Sequence, residues 1–320
     1  MNPIKPTASP SGPVTSRTVP TGARRSRPAP STWLTTTDGR ALAATWTEPQ
    51  GPTRAVTVIS SATGVPRGYY RAFSEWLSER GHAVLTYDYR GMGDSRQGPL
   101  RQERASMRDW AVHDMSAALA AGEARRAGKD LPLMLVGHSF GGNSIAFAQG
   151  VERADALLMV AAQIPTLQHF PGWRRHATAV FFRAWVPAVS RLMGHLPAWA
   201  NGGGEPLPRE VALQWCDWGV RESWAFSDPT MTPHRAAAAV VAPVHLWNVA
   251  DDLTYAPPGA VDALASQFRN AAVQRHTVHA AELGLPFLGH FGAFRRSAGP
   301  ALWSRWMDPL EAAVPALRPA

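Results

Sequence analysis

The hexapeptide Gly137-His138-Ser139-Phe140-Gly141-Gly142 constrains the fold more than any other part of the chain. It follows LPLMLV, an apolar run suited to a buried strand, and leads into GGNSIAFAQG, which reads as helix. A serine between glycines at such a junction sits on a sharp strand-to-helix turn. Side chains two residues to either side would collide there, and glycine removes the collision. The turn lifts the Ser139 hydroxyl out of the sheet. The helix that follows aims its first N–H groups at the same point, so the Phe140 N–H can hold a developing oxyanion.

The flanking sequence supplies the sheet this turn needs. WLTTTDGRALAATW predicts two strands joined at Asp38-Gly39, and RAVTVISS, HAVLTYDY, DALLMVAAQ, APVHLWNVA and AVQRHTVHA predict further strands. Between them lie helical patterns in YYRAFSEWLSERG, MRDWAVHDMSAALAAGEARR and PPGAVDALASQF, with a last one around Trp303 and Trp306. This alternation predicts an α/β fold, a mostly parallel sheet with helices on both faces and its functional crevice at the carboxyl ends of the strands. The rhythm stops between about Ile164 and Arg235. That stretch is dense in Pro, Gly and aromatic residues and holds Trp173, Trp185, Trp199, Trp215, Trp218 and Trp224. The expected organisation is a basic Pro/Ser/Thr-rich disordered tail over 1–31 and a core over 32–163. A Trp-rich helical cap is inserted over 164–236, and the core is completed over 237–316.

Serine is a weak nucleophile and needs a base, which in turn needs an orienting acid. On a strand–turn–helix serine the partners follow in the order acid, then histidine. The strand PVHLWNVA ends in Asp251-Asp252. Asp252 is favoured by its spacing from Pro243, and Asp251 stays open. Of the later histidines, His276 and His279 fall in or just past the last strand. His290 lies in Leu288-Gly289-His290-Phe291-Gly292, a loop before the final helix, and is the expected base. His138, which precedes the nucleophile, is expected to be structural. A second oxyanion donor is expected from the loop Ser61-Ala62-Thr63-Gly64-Val65, at the Val65 N–H.

Other chemistries find little support. The net charge is +8, but Lys5, Arg17, Arg24, Arg25 and Arg27 precede the first acid, Asp38. The rest of the chain carries about +3, too little for a basic groove, so no nucleic-acid partner is expected. Tyr87-Asp88-Tyr89-Arg90-Gly91-Met92-Gly93-Asp94-Ser95 fails the dinucleotide pattern, because Arg96 stands where a glycine is required. Paired Cys-x-x-Cys, His-Glu-x-x-His and P-loop sequences are absent. Cys216 is the only cysteine and reads as a core residue. No run reaches the ~18 apolar residues of a membrane span. A cytoplasmic location is the default expectation.

The segments SATGVPRGYY, YDYRGMGDS and GHSFGG, with ADD and GHFG, together resemble the α/β-hydrolase superfamily. Within it, the chain is similar to bacterial hydrolases of the serine aminopeptidase and monoacylglycerol lipase-like type. The resemblance reaches from about Trp33 to the C-terminus and implies an eight-stranded sheet, the triad Ser139, Asp252 and His290, and no cofactor. The implied activity is hydrolysis of an ester-type bond, whether carboxylic ester, thioester or amide, through an acyl-enzyme. An acyltransferase with the same triad, or a non-catalytic binding protein on this fold, are the alternatives. The Trp-rich cap points to a small, apolar acyl substrate, although such aromatics also build a cap's own core. Arg174, Arg175 and His176 read either as solvated cations or as a site for an anionic head group. Acyl length, leaving group and oligomeric state are not legible.

Overall fold

The computed structural model describes residues 30–317. The expected tail, residues 1–31, lies outside the described residues apart from Pro30 and Ser31. Eight strands form one sheet: β1 (Thr32–Thr35), β2 (Ala41–Thr47), β3 (Ala55–Ser60), β4 (His82–Tyr87), β5 (Leu133–His138), β6 (Ala156–Val160), β9 (Val244–Val249) and β10 (Val273–Val278). Two further strands, β7 (His195–Leu196) and β8 (Leu207–Pro208), make a small hairpin between β6 and β9. The order across the main sheet is β1-β2-β4-β3-β5-β6-β9-β10. β2 pairs antiparallel with β1 and β4, and every other pairing is parallel.

Strand periodicity of two sorts side chains into two cores. Val56, Val58, Leu133 and Leu135 face the helical stretch 107–126, meeting Met115 and Leu119. Ile59, Val84, Met134 and Val136 face the other way, towards Phe73 and Leu77 of helix Arg71–Glu79 and Trp303 and Trp306 of helix Gly299–Ala313. Every residue of β3, β4, β5 and β9 is buried, as a sheet covered on both faces requires. Each large apolar side chain taken from water here contributes about 1.5–3 kcal/mol.

The YDYRGMGDS segment is the structural hub of this end of the sheet. Arg90 donates from its guanidinium to Asp38 in the β1–β2 turn and from Nε to buried Asp114 at 2.7 Å. Asp88 pairs with Arg67 and accepts from the Arg67 N–H at 2.7 Å. Ser95 donates to the Asp88 carbonyl at 2.6 Å while accepting from the Ala43 N–H at 2.8 Å. These buried charges hold the hairpin, the β3–β4 connection and the helix after β4 together.

The helix after Ser139 is shorter than its sequence suggests. It ends at Ile145, because the Ala146 carbonyl accepts from the Ala236 and Ala237 N–H groups of the returning chain, at 2.8 and 3.2 Å. Between β6 and β9 the chain forms helices Trp173–Val180, Val186–Met193 and Arg209–Val220, the first two joined through a π-turn, Phe181–Trp185. No described helix is long and apolar enough to cross a membrane.

Candidate active site

The glycines around Ser139 are where they are for want of space. A Cβ on Gly141 would stand 2.0 Å from the Ser60 carbonyl oxygen, and one on Gly137 2.3 Å from the Gly142 Cα. The turn thus lies directly against β3. Ser139 itself adopts φ 53° and ψ −120°, a conformation costing a non-glycine residue roughly 1–3 kcal/mol. Its own N–H donates to the Val160 carbonyl at 2.9 Å, and its carbonyl accepts from Gly142 and Asn143. The strained residue is therefore clamped by β6 on one side and by its own helix on the other. Phe140 opens that helix, where an N–H has no intrahelical partner.

The two aspartates left open by sequence have different partners. His290 Nδ1 donates to Asp252 Oδ2, with both side chains buried. The other Asp252 oxygen accepts from the Tyr255 N–H at 3.1 Å. Asp251 reaches the backbone of the histidine loop instead, accepting from Leu288 N–H at 2.9 Å and Gly289 N–H at 2.6 Å. One carboxylate thus meets the imidazole and the other fixes the loop that carries it. With Nδ1 committed as a donor to Asp252, the neutral ring has Nε2 as its acceptor.

His138 links the remaining parts. Its Nε2–H donates to the His290 carbonyl at 2.9 Å, and its Nδ1 accepts from the Tyr70 hydroxyl at 2.8 Å. That hydroxyl in turn accepts from the Ala62 N–H at 2.9 Å. All three residues are buried. Burial, reinforced by the nearby His290 ring, lowers the His138 pKa to about 3, so the ring stays neutral and keeps both bonds. Burial also raises the Tyr70 pKa well above its usual value and keeps the phenol protonated.

The expected second oxyanion donor is corrected by the loop geometry. The Val65 N–H turns back to the Ala62 carbonyl at 3.1 Å, closing the loop's own turn. The Thr63 N–H has no hydrogen-bond partner among the described residues, and Thr63 lines the same cavity as Ser139. Sequence reasoning took in Thr63 only as part of the 61–65 loop and did not single out Tyr70, because neither residue stands in a recognisable motif. His276 stacks on Trp247 with centroids 4.5 Å apart, and His279 caps the turn Ala280–Leu283. Neither lines the cavity.

Ser139 and His290 open onto one cavity of about 550 Å³. Phe170, Phe181, Phe182, Trp215 and Trp224, all from the segment between β6 and β9, make its apolar wall. The six tryptophans of that segment divide. Trp215 and Trp224 face the cavity, Trp218 is buried and donates to Asp228 at 2.7 Å, and Trp173, Trp185 and Trp199 are exposed. Arg174 lies over the Trp173 ring at 5.2 Å. Neither it, Arg175 nor His176 lines the cavity. Among the described residues no cluster of three or more His, Cys, Asp or Glu side chains could hold a metal ion.

Comparison with known proteins agrees with this architecture. A putative monoglyceride lipase from Schizosaccharomyces pombe is 33% identical over 129 residues, 39% of this chain and 33% of the relative, so the match spans about a third of that protein's length. A monoglyceride lipase from Saccharomyces cerevisiae superposes with a TM-score of 0.60 at 13% identity, covering 93% of this chain and 99% of that one. An esterase from Thermogutta terrifontis does so with a TM-score of 0.53 at 17% identity, covering 88% and 98%. At such identities the structures speak for the fold, which is that of the α/β hydrolases. Residues 51–277, more than half of the chain, match the serine aminopeptidase S33 family. The chain belongs to that family and has the α/β-hydrolase fold.

Proposed function

We propose that this enzyme hydrolyses carboxylic esters with apolar acyl groups through an acyl-enzyme on Ser139. His290 Nε2 takes the Ser139 proton as Oγ attacks the carbonyl carbon, and Asp252 holds the imidazole in the required tautomer and balances its charge. The N–H groups of Phe140 and Thr63 receive the oxyanion. His290 then protonates the leaving alcohol as the C–O bond breaks. A water molecule, deprotonated by the same nitrogen, releases the acid and restores the serine. Residues 164–236 serve as a cap whose aromatic wall receives the acyl chain.

The observation that carries this reading is the buried His290–Asp252 pair, set on one cavity with a serine held at φ 53°. The names of the relatives, monoglyceride lipases and an esterase, point to the same substrate class. The test is covalent labelling by a fluorophosphonate probe, with a panel of aryl esters of graded chain length. Labelling of the wild type, its loss in Ser139→Ala, and a preference for longer acyl chains are expected. A wild type that neither labels nor turns over any ester overturns the proposal.

A further inference from the structure

The cavity that Ser139 and His290 share has two unlike sides. The segment between β6 and β9 gives the apolar wall, while Tyr69, Tyr255, Phe291 and Arg295 come from the connections after β3, β9 and β10. This second group gathers around His290, and the Tyr255 and Phe291 rings each lie 4.8 Å from the imidazole, centroid to centroid. Arg295 is the one lining residue with a permanent charge, and among the described residues no Asp or Glu lines the cavity. Its guanidinium donates to the Tyr69 hydroxyl, which itself donates to the Phe291 carbonyl. Among the described residues Arg295 forms no ion pair, whereas Arg296, the next residue, meets Glu75 at 2.7 Å. An exposed arginine is ordinarily solvated or laid against a carboxylate. This one is exposed yet tethered at the rim of an apolar cavity, with N–H donors to spare.

The chemistry decides which end of a substrate belongs on this side. In the proposed hydrolysis, on which this inference rests, His290 hands its proton to the leaving alcohol, so the alcohol part lies beside His290 and the residues around it. The acyl chain lies against the aromatic wall. A guanidinium presents a fork of N–H donors that matches a carboxylate or phosphate, in charge-assisted bonds about twice as strong as neutral ones. With no acid lining the cavity, the field Arg295 sets up there is of one sign. We propose that Arg295 is a specificity-determining residue, which selects esters whose alcohol part carries a carboxylate or phosphate over neutral esters. A role confined to tethering the His290 loop through Tyr69 predicts something different, an equal loss with every ester when Arg295 is replaced.

Turnover of matched esters by the full-length protein tests this. The anionic probes are para-butanoyloxybenzoate and para-butanoyloxyphenyl phosphate, and the neutral one is para-butanoyloxybenzamide, each rate being divided by that of its alkaline hydrolysis. The wild type is expected to favour at least one anionic ester over the neutral one by about fivefold to twentyfold in kcat/KM, and the larger ratio names the anion. Arg295→Gln removes that preference through KM, Arg295→Lys keeps part of it, and Arg296→Gln leaves it whole. Salt at about 1 M, which shortens screening to about 3 Å, abolishes it in the wild type. An unaltered anionic-to-neutral ratio in Arg295→Gln overturns the inference, as does an equal loss with all three esters. An Arg295-dependent preference confined to an anionic acyl part, read with para-nitrophenyl hemiglutarate against para-nitrophenyl pentanoate, overturns it too. Failure of Ser139 to label with the fluorophosphonate probe removes the proposed hydrolysis itself, whereas labelling and neutral-ester turnover without an anionic preference remove this inference alone.

Discussion

Tyr70→Phe isolates the hydrogen-bond chain behind the active site, because it deletes one oxygen and leaves the ring in place. That oxygen accepts from Ala62 N–H at 2.9 Å and donates to His138 Nδ1 at 2.8 Å. Tyr70 and His138 are 0% exposed and Ala62 1%, so removal strands one donor and one acceptor away from water. Each stranded group costs about 1–3 kcal/mol, which sums to roughly 2–6 kcal/mol of lost stability. Tyr69→Phe is the internal control. Its half-buried hydroxyl donates to the Phe291 carbonyl and also meets Arg295, and each such bond is worth about 0.5–1.5 kcal/mol. Urea unfolding of both variants beside the wild type gives the two differences directly. The chain also predicts a kinetic signature, since Ala62 adjoins Thr63 and His138 adjoins Ser139. Tyr70 does not line the cavity, so a loosened chain lowers kcat, by about tenfold to a hundredfold, and leaves KM nearly unchanged. A Tyr70→Phe protein within about 0.5 kcal/mol of the wild type, with unaltered kcat, would refute the reasoning.

The two aspartates should separate cleanly in kinetics. Asp252→Asn loses the carboxylate that orients His290 and should cost about 10⁴ in kcat, whereas Asp251→Asn loosens only the Leu288–Gly289 backbone and should cost about tenfold. Equal losses in the two variants would break the assignment. His138 should keep its neutral, Nε2-protonated form at pH 5, where an unperturbed imidazole is cationic. Nitrogen-15 spectra of histidine-labelled protein report this, and a cationic His138 at that pH would contradict its two hydrogen bonds. The linkage has a definite sign. A histidine held down to about 3 contributes its full stability above pH 6.5 and loses about 1.4 kcal/mol for each unit the pH falls below it. Asp114, whose carboxyl burial pushes up to about 7, works in the opposite direction over the same window and offsets part of that loss.

The strands and the sharp turn at Ser139 were legible because their causes are local. β3, β5 and β6 are short apolar runs whose alternate residues feed two cores, and the turn demands glycine where β3, its own helix or Ala162 would touch a side chain. Asp251 and Asp252 could not be told apart with certainty because neighbours at a strand end point to opposite sides. Their partners, a ring and a pair of backbone amides, lie 37 and 38 residues further on. The Val65 expectation failed for a finer reason. Which amide of 61–65 faces Ser139 depends on how that loop turns, and Gly64 at φ 75° brings the Val65 N–H back onto Ala62. Nothing in the residue types of 61–65 distinguishes that turn from one that would free Val65.

His138, expected to be structural, joins three loops through its hydrogen bonds. The 61–65 loop, the Ser139 turn and the His290 loop follow three different strands, and loops of that kind are ordinarily the mobile part of a fold. Here one buried imidazole bonds to the carbonyl of His290, precedes Ser139 in the chain, and reaches Ala62 through Tyr70. A shift of any one loop therefore breaks a buried hydrogen bond shared with another. Ala62, the Ser139 turn and the His290 loop are in this way tied together by buried hydrogen bonds. Residues 164–236 supply most of the apolar wall of the cavity and share no part of this chain of bonds.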